Sequence, residues 1–175
     1  MKPIPLIAIS SCILGNRVRY DAELKYFPEL CEQLQQHFKL LAVCPEVEIG
    51  LSVPRPPLQL SGDAQHPRMT GRDDPRIDVS DAMYAFCSER PAQLQAICGY
   101  VFKSRSPSCG LRQIPVFRDG SLIEDHHRGL FAEAMMERYP ELPVAEETDL
   151  QNERQLQHFI NRALNYDRRR PMIRT

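Results

Sequence analysis

Short apolar runs alternate along this chain with stretches whose apolar residues recur every three or four positions. Pro5-Leu6-Ile7-Ala8-Ile9-Ser10 is a brief, β-branched run closing in small polar residues, the pattern of a buried strand. Within 22–38, Leu24, Phe27, Leu30, Cys31, Leu34 and Phe38 fall at helical spacing, and the regular part is expected from Pro28, since proline fits a first helical turn. Lys39-Leu40-Leu41-Ala42-Val43 is a second apolar run, stopped by Cys44-Pro45. The proline-rich stretch 45–77 reads mostly as loop. A helix is expected from Asp78 to about Glu89, with Asp78 or Ser80 as N-cap, continuing through 91–98. Gly99-Tyr100-Val101-Phe102-Lys103 is a third strand, followed by a polar loop from Ser104 to Gly110. Residues 114–118 and 142–145 are weaker strand candidates around a helix over Gly129–Tyr139. Asp149–Tyr166, with Leu150, Leu156, Phe159, Ile160 and Leu164 apolar, reads as a final helix.

Strands alternating with helices predict an α/β fold of three layers, a mostly parallel central sheet flanked by helices. The 175 residues suit one domain, expected over 1–148, with 149–175 as a C-terminal helix and basic tail. A chain of this length buries about 70% of its unfolded surface, so it needs no disulfides to fold. The 22 Lys and Arg residues nearly balance 23 Asp and Glu, which argues against bulk electrostatic capture of nucleic acid. The start is broken by Pro3 and Pro5 and lacks the core of a signal peptide, and no run approaches the ~18 apolar residues of a membrane span. A cytoplasmic protein without membrane contact is the expectation, and six cysteines there point to metal ligation, catalysis or core filling.

In open parallel sheets, ligands bind beyond the carboxyl ends of the strands. Cys12 follows the first expected strand, Cys44 the second, and Cys109 lies in the loop after the third. Cys31, Cys87 and Cys98 instead fall in apolar patterns and read as packing. Three thiolates at one site suit a soft metal, either zinc with an open fourth position or a [4Fe–4S] cluster with one open iron. Spacing alone leaves both open.

Four segments in order carry a family resemblance. They are Ser11-Cys12-Ile13-Leu14-Gly15 with Val18-Arg19-Tyr20-Asp21, then Cys44-Pro45-Glu46-Val47-Glu48-Ile49-Gly50-Leu51, then Pro54-Arg55-Pro56-Pro57, then Lys103-Ser104-Arg105-Ser106-Pro107-Ser108-Cys109-Gly110. From about residue 5 to Glu146 the chain resembles the thiouracil desulfidase (TudS) family. The resemblance implies a [4Fe–4S] cluster on Cys12, Cys44 and Cys109, with one open iron that takes the sulfur of a thiolated pyrimidine. The partner it implies is a small base, nucleoside or nucleotide such as 2-thiouracil, 4-thiouracil or a 4-thiouridine nucleotide, with sulfur replaced by oxygen without electron transfer.

Such chemistry needs a carboxylate base. Glu46 and Glu48 both lie beside Cys44 and point the same way in an extended segment, so spacing cannot choose. The family's glutamate in this motif favours Glu48, with Glu46 as alternative. A serine near the third cysteine is expected to assist, Ser104 first, with Ser106 and Ser108 competing. Arg19, Arg55, Lys103 and Arg105 are candidates for binding a phosphate or an anionic cluster. His126-His127 lacks a matching third ligand and reads as polar loop. Arg168-Arg169-Arg170 with Arg174 reads as a solvated terminus rather than a tRNA contact. Residues Met69–Asp78 depart from the family pattern. The competing reading is a cluster- or zinc-binding carrier or sensor of thiolated RNA without catalysis. A monomer or homodimer is expected.

Overall fold

The computed structural model describes residues 3–169. Four strands build a wholly parallel sheet: β1 (Leu6–Ser10), β2 (Lys39–Val43), β5 (Ile97–Phe102) and β8 (Val144–Glu146), in the order β2-β1-β5-β8. The chain leaves β1 for β2 on one side and later fills β5 on the other. The switch point therefore lies at β1, where the carboxyl ends of an open α/β sheet form a crevice.

Each face of this sheet buries a separate apolar layer. On one, Ile7, Ile9, Cys98 and Val101 pack against Leu30, Cys31 and Leu34 of α1 (Pro28–Gln35) and Leu156, Phe159, Ile160 and Ala163 of α5 (Glu153–Arg169). On the other, Ala8, Val43, Tyr100 and Phe102 pack against Phe131, Ala132 and Met135 of α4 (Leu130–Arg138), with Phe86 and Cys87 of α3 (Ser80–Gln93) closing the layer. The expected three-layer α/β architecture is present. Among the described residues, no helix is long and apolar enough to cross a membrane.

A second sheet was not anticipated. β3 (Leu58–Asp63), β4 (His66–Gly71), β6 (Ile114–Arg118) and β7 (Ser121–His127) form a mixed sheet in the order β4-β3-β6-β7. Its Leu60, Met69, Ile114 and Val116 pack on Met83 of α3, which thereby serves both layers. Two strands fall where loop was expected in 45–77. Gly62 and Pro67 hide the period-two pattern there, yet they pair opposite each other at the β3–β4 turn, and β4 is an edge strand that tolerates a proline. A short helix α2 (Pro45–Glu48) also interrupts that stretch. His126 and His127 end strand β7 rather than sitting in a loop. Cys98 lies inside β5, since the helix expected over 91–98 stops at Gln93. Neither Asp78 nor Ser80 is the N-cap of α3. That position is Val79, although the Asp78 carboxylate accepts the Ser80 N–H at 2.9 Å.

Candidate functional site

Three loops leave the carboxyl edge of the parallel sheet, and each carries one of the singled-out cysteines. After β1 the chain tightens into a 3-10 turn, Ser11–Leu14, closed by Gly15 at φ +85°, where any side chain would be strained. Cys12 sits in that turn. After β2, Cys44 is the extended residue that opens α2, with Pro45 in the first turn. After β5, Cys109 lies in a loop pinned from two sides. Ser106 Oγ accepts the N–H groups of Ser108 (3.3 Å) and Cys109 (3.1 Å). From below, the first N–H groups of α4 reach the Pro107 and Ser108 carbonyls at 3.0–3.1 Å, donors that a helix start must otherwise leave unsatisfied. Gly129 makes that approach close: a Cβ there would stand 2.6 Å from the Cys109 nitrogen.

The three cysteines border one cavity of about 850 Å³, within the range that holds cofactors and small substrates. Cys12 and Cys109 are buried, and Cys44 is half-buried. Burial raises the Cys12 thiol to about 11 against the counteracting charge of Lys103, and it lifts Cys44 as well. The Cys109 thiol is pushed far above its ordinary value by burial, then by the neighbouring Cys44, against hydrogen bonds from Ser10 and Ser108. The sulfurs thus act on one another across the cavity, and as thiols they are poor nucleophiles at neutral pH. Cys31, Cys87 and Cys98 lie away from this cavity, in the packing.

The two glutamates separate cleanly. Glu46 lines the cavity; its Oε2 takes a bond from Arg55 Nε at 2.8 Å and its Oε1 a bond from the Ser108 hydroxyl at 3.1 Å. Glu48 turns behind the wall, where Oε1 accepts the Cys44 backbone N–H at 3.2 Å and Oε2 meets Arg90 Nε at 2.8 Å. A helical turn, not an extended segment, sets them on different sides. Glu46, the alternative, lines the cavity, and the favoured Glu48 does not.

The serines divide in a similar way. Ser104 lines the cavity, but its hydroxyl donates to Glu147 Oε1 at 2.7 Å and its N–H donates to Oε2 at 2.7 Å. Lys103 bonds the same Glu147, which is only 1% exposed. Ser106 and Ser108 instead stand 3.0 Å apart and lead to Glu46. Since Ser108 donates to Glu46, Ser106 donates to Ser108, and the three form one hydrogen-bonded file. Arg105, between these groups, adopts φ +60°, a strained conformation held by the bonded residues on either side.

Six cations line the cavity, Arg19, Lys25, Arg55, Arg72, Lys103 and Arg105, against the carboxylates of Glu46 and Glu147. Arg19 is held bidentately by Asp21, Arg55 by Glu46, and Lys103 by Glu147. Among the described residues, Arg105 and Lys25 have no ion-pair partner. Glu147 escaped the sequence reading, because nothing in its flanks marks a buried carboxylate.

The donor set suits an iron–sulfur group. Three thiols, shielded from water and surrounded by positive charge, fit an anionic soft-metal centre. Among the described residues no three His, Cys, Asp or Glu side chains are gathered tightly enough to hold a metal ion.

A family model described as 2-thiouracil desulfurase matches residues 7–147. A solved structure described as the [4Fe-4S]-dependent thiouracil desulfidase TudS is similar, with a TM-score of 0.63, 28% sequence identity, and coverage of 84% of this chain and 93% of that one. No curated protein matches.

Proposed function

This chain belongs to the 2-thiouracil desulfurase family, and from that premise we propose that it is a [4Fe–4S]-dependent enzyme removing sulfur from a thiolated pyrimidine. The observation that carries the reading is the single cavity bordered by Cys12, Cys44, Cys109 and the paired carboxylate Glu46. The net reaction is hydrolysis: thione and water become the oxo compound and hydrogen sulfide, with no electrons exchanged.

Cys12, Cys44 and Cys109 would hold the cluster, whose open iron supplies a soft Lewis acid for the thione sulfur. Glu46 is the base. Its Oε1 has a lone pair beyond that used by Ser108, whereas Oε2 is taken by two Arg55 nitrogens, so Oε1 takes the proton of a water aimed at the ring carbon. Once protonated, Glu46 donates to Ser108, the hydroxyls of Ser108 and Ser106 turn so that each passes its own proton on, and Ser106 delivers one at the cavity face to the departing sulfur. Arg55 holds Glu46 in place. Removing it would strand a nearly buried carboxylate, worth about 3 kcal/mol in such pairs. Arg105 and Lys25 are suited to a phosphate, so a pyrimidine nucleotide is the favoured substrate over the free base.

Anaerobic reconstitution with iron and sulfide, followed by incubation with 4-thiouracil and 4-thiouridine monophosphate, tests the reading. Expected are about four irons per chain and sulfide release, with iron lost in Cys12→Ala, Cys44→Ala and Cys109→Ala and retained in Cys31→Ala, Cys87→Ala and Cys98→Ala. A full cluster with no sulfide release from any thiopyrimidine would favour the carrier or sensor reading. One tightly bound zinc would exclude the cluster.

A further inference from the structure

Among the described residues, two buried side-chain polar atoms lack a hydrogen-bond partner, Arg90 Nε and the Tyr100 hydroxyl. The first still has a charge partner, since Glu48 Oε2 lies 2.8 Å away. Nothing answers the second. Tyr100 is 0% exposed on the central strand β5, stacked on Phe102 with ring centroids 3.7 Å apart and planes 4° from parallel. A buried hydroxyl without a partner costs free energy comparable to a lost hydrogen bond. Phenylalanine fills the same kind of space at position 102 without that cost.

The surroundings narrow what the hydroxyl is for. Tyr100 packs in the same cluster as Cys109 and Val43, the latter adjoining Cys44. Burial above all keeps the hydroxyl protonated, and the charges it feels are those of Cys109 first, then Glu48 and Cys44, with Arg90 of opposite sign. Glu48 is anchored to the Cys44 N–H and to Arg90 and takes no bond from the hydroxyl. What remains on that side is sulfur. A neutral thiol is a weak acceptor, which explains an unanswered donor beside it, whereas a metal-bound thiolate carries charge and takes several donors.

We propose that the Tyr100 hydroxyl is a positioning and tuning group for the iron–sulfur centre, donating a hydrogen bond to the Cys109 sulfur once iron has displaced its proton. Cys109 then receives two hydroxyls, those of Ser10 and Tyr100, since the Ser108 proton is given to Glu46. Donors on a ligand sulfur withdraw charge from the iron, which raises its reduction potential and strengthens its hold on a thione sulfur. The inference rests on the cluster reading above.

The test compares wild type with Tyr100→Phe, both reconstituted anaerobically. Expected are about four irons in each, cluster loss to an iron chelator on the order of tenfold faster in the variant, and a lower cluster reduction potential. The apoprotein of Tyr100→Phe should unfold at the same urea concentration as wild type or a higher one, because only an unpaired hydroxyl has gone. Reconstitution in heavy water should shift an iron–cysteine stretching band more in wild type than in Tyr100→Phe, where only the Ser10 hydroxyl remains on that sulfur. Equal chelator loss with equal isotope shifts overturns the proposal. So does an apoprotein as destabilised as the loaded one, which would give the hydroxyl a partner within the protein. A wild type that takes up no iron overturns the cluster reading, and this inference with it; four irons with an indifferent Tyr100→Phe overturns this inference alone.

Discussion

Glu46 and Glu48 show how two residues apart in sequence acquire unlike work. The first is a cavity carboxylate bonded by Arg55 and Ser108; the second ties the Cys44 backbone to Arg90. Glu46→Gln should lower turnover by roughly 10²–10⁴-fold while leaving iron content unchanged, as loss of a general base does. Glu48→Ala should do the converse, lowering stability by about 1–3 kcal/mol and iron retention, with turnover per bound iron within a few-fold of wild type. Sulfide release and iron assays on the two variants check this; a Glu46→Gln protein with full turnover would return the role to Glu48. The residue types needed at this site were legible in the sequence, since both glutamates, all three serines and the three cysteines had been singled out. Which member of each set faces the cavity was not, because it depends on the one-turn helix α2 and on Glu147, a residue without a motif.

At the scale of elements, helix α4 decides where Cys109 stands. Its first N–H groups hold the Pro107 and Ser108 carbonyls, and Gly129 permits the contact. Gly129→Ala should push the loop back, costing roughly 2 kcal/mol in urea unfolding and lowering iron content, although no ligand is changed. Normal iron content in that variant would mean that the loop sets itself. The start of α3 supplies a pH-dependent contribution remote from the cavity. Burial pushes the Asp78 carboxyl up, but hydrogen bonds from Arg68 and Ser80 more than offset it, so it lies below its ordinary value of 3.8. A depressed carboxyl stabilises the fold above that ordinary value and ceases to as pH falls through the folded one. Asp78→Asn should therefore cost about 1 kcal/mol at neutral pH, with the gap to wild type closing as pH falls below the ordinary carboxylate range; a gap that persists in acid would contradict the assignment. Element by element, β1, β2, β5, α1, α4 and α5 were readable from periodicity. β6 matches the weaker strand expected at 114–118, and β8 lies near the one expected at 142–145; β7 is the unexpected strand, although Asp119-Gly120, both at positive φ, is a turn that two-residue hairpins favour. β3 and β4 were hidden by Gly62 and Pro67, harmless only because they pair at a turn and β4 is an edge.

For the whole molecule, near-zero net charge conceals a cavity with six cations against two carboxylates. A phosphate-bearing substrate should exploit that surplus. Arg105→Ala should raise KM for 4-thiouridine monophosphate several-fold while leaving KM for 4-thiouracil within about twofold, and added salt should narrow the same difference. Identical KM changes for both substrates would deny Arg105 a phosphate. By itself, the sequence determined the layered α/β class, the loops at the carboxyl ends of three strands, and the split of six cysteines into three there and three in the packing. Those follow from periodicity and from the rule that parallel strands end at one edge, both local in origin. Only the tertiary structure decided that a second sheet packs on α3, that Glu46 rather than Glu48 meets the cavity, that Lys103 and Ser104 are spent on Glu147, and that Tyr100 keeps a hydroxyl without a partner. Each depends on contacts between segments tens of residues apart, and no local pattern records what a side chain will meet across the fold.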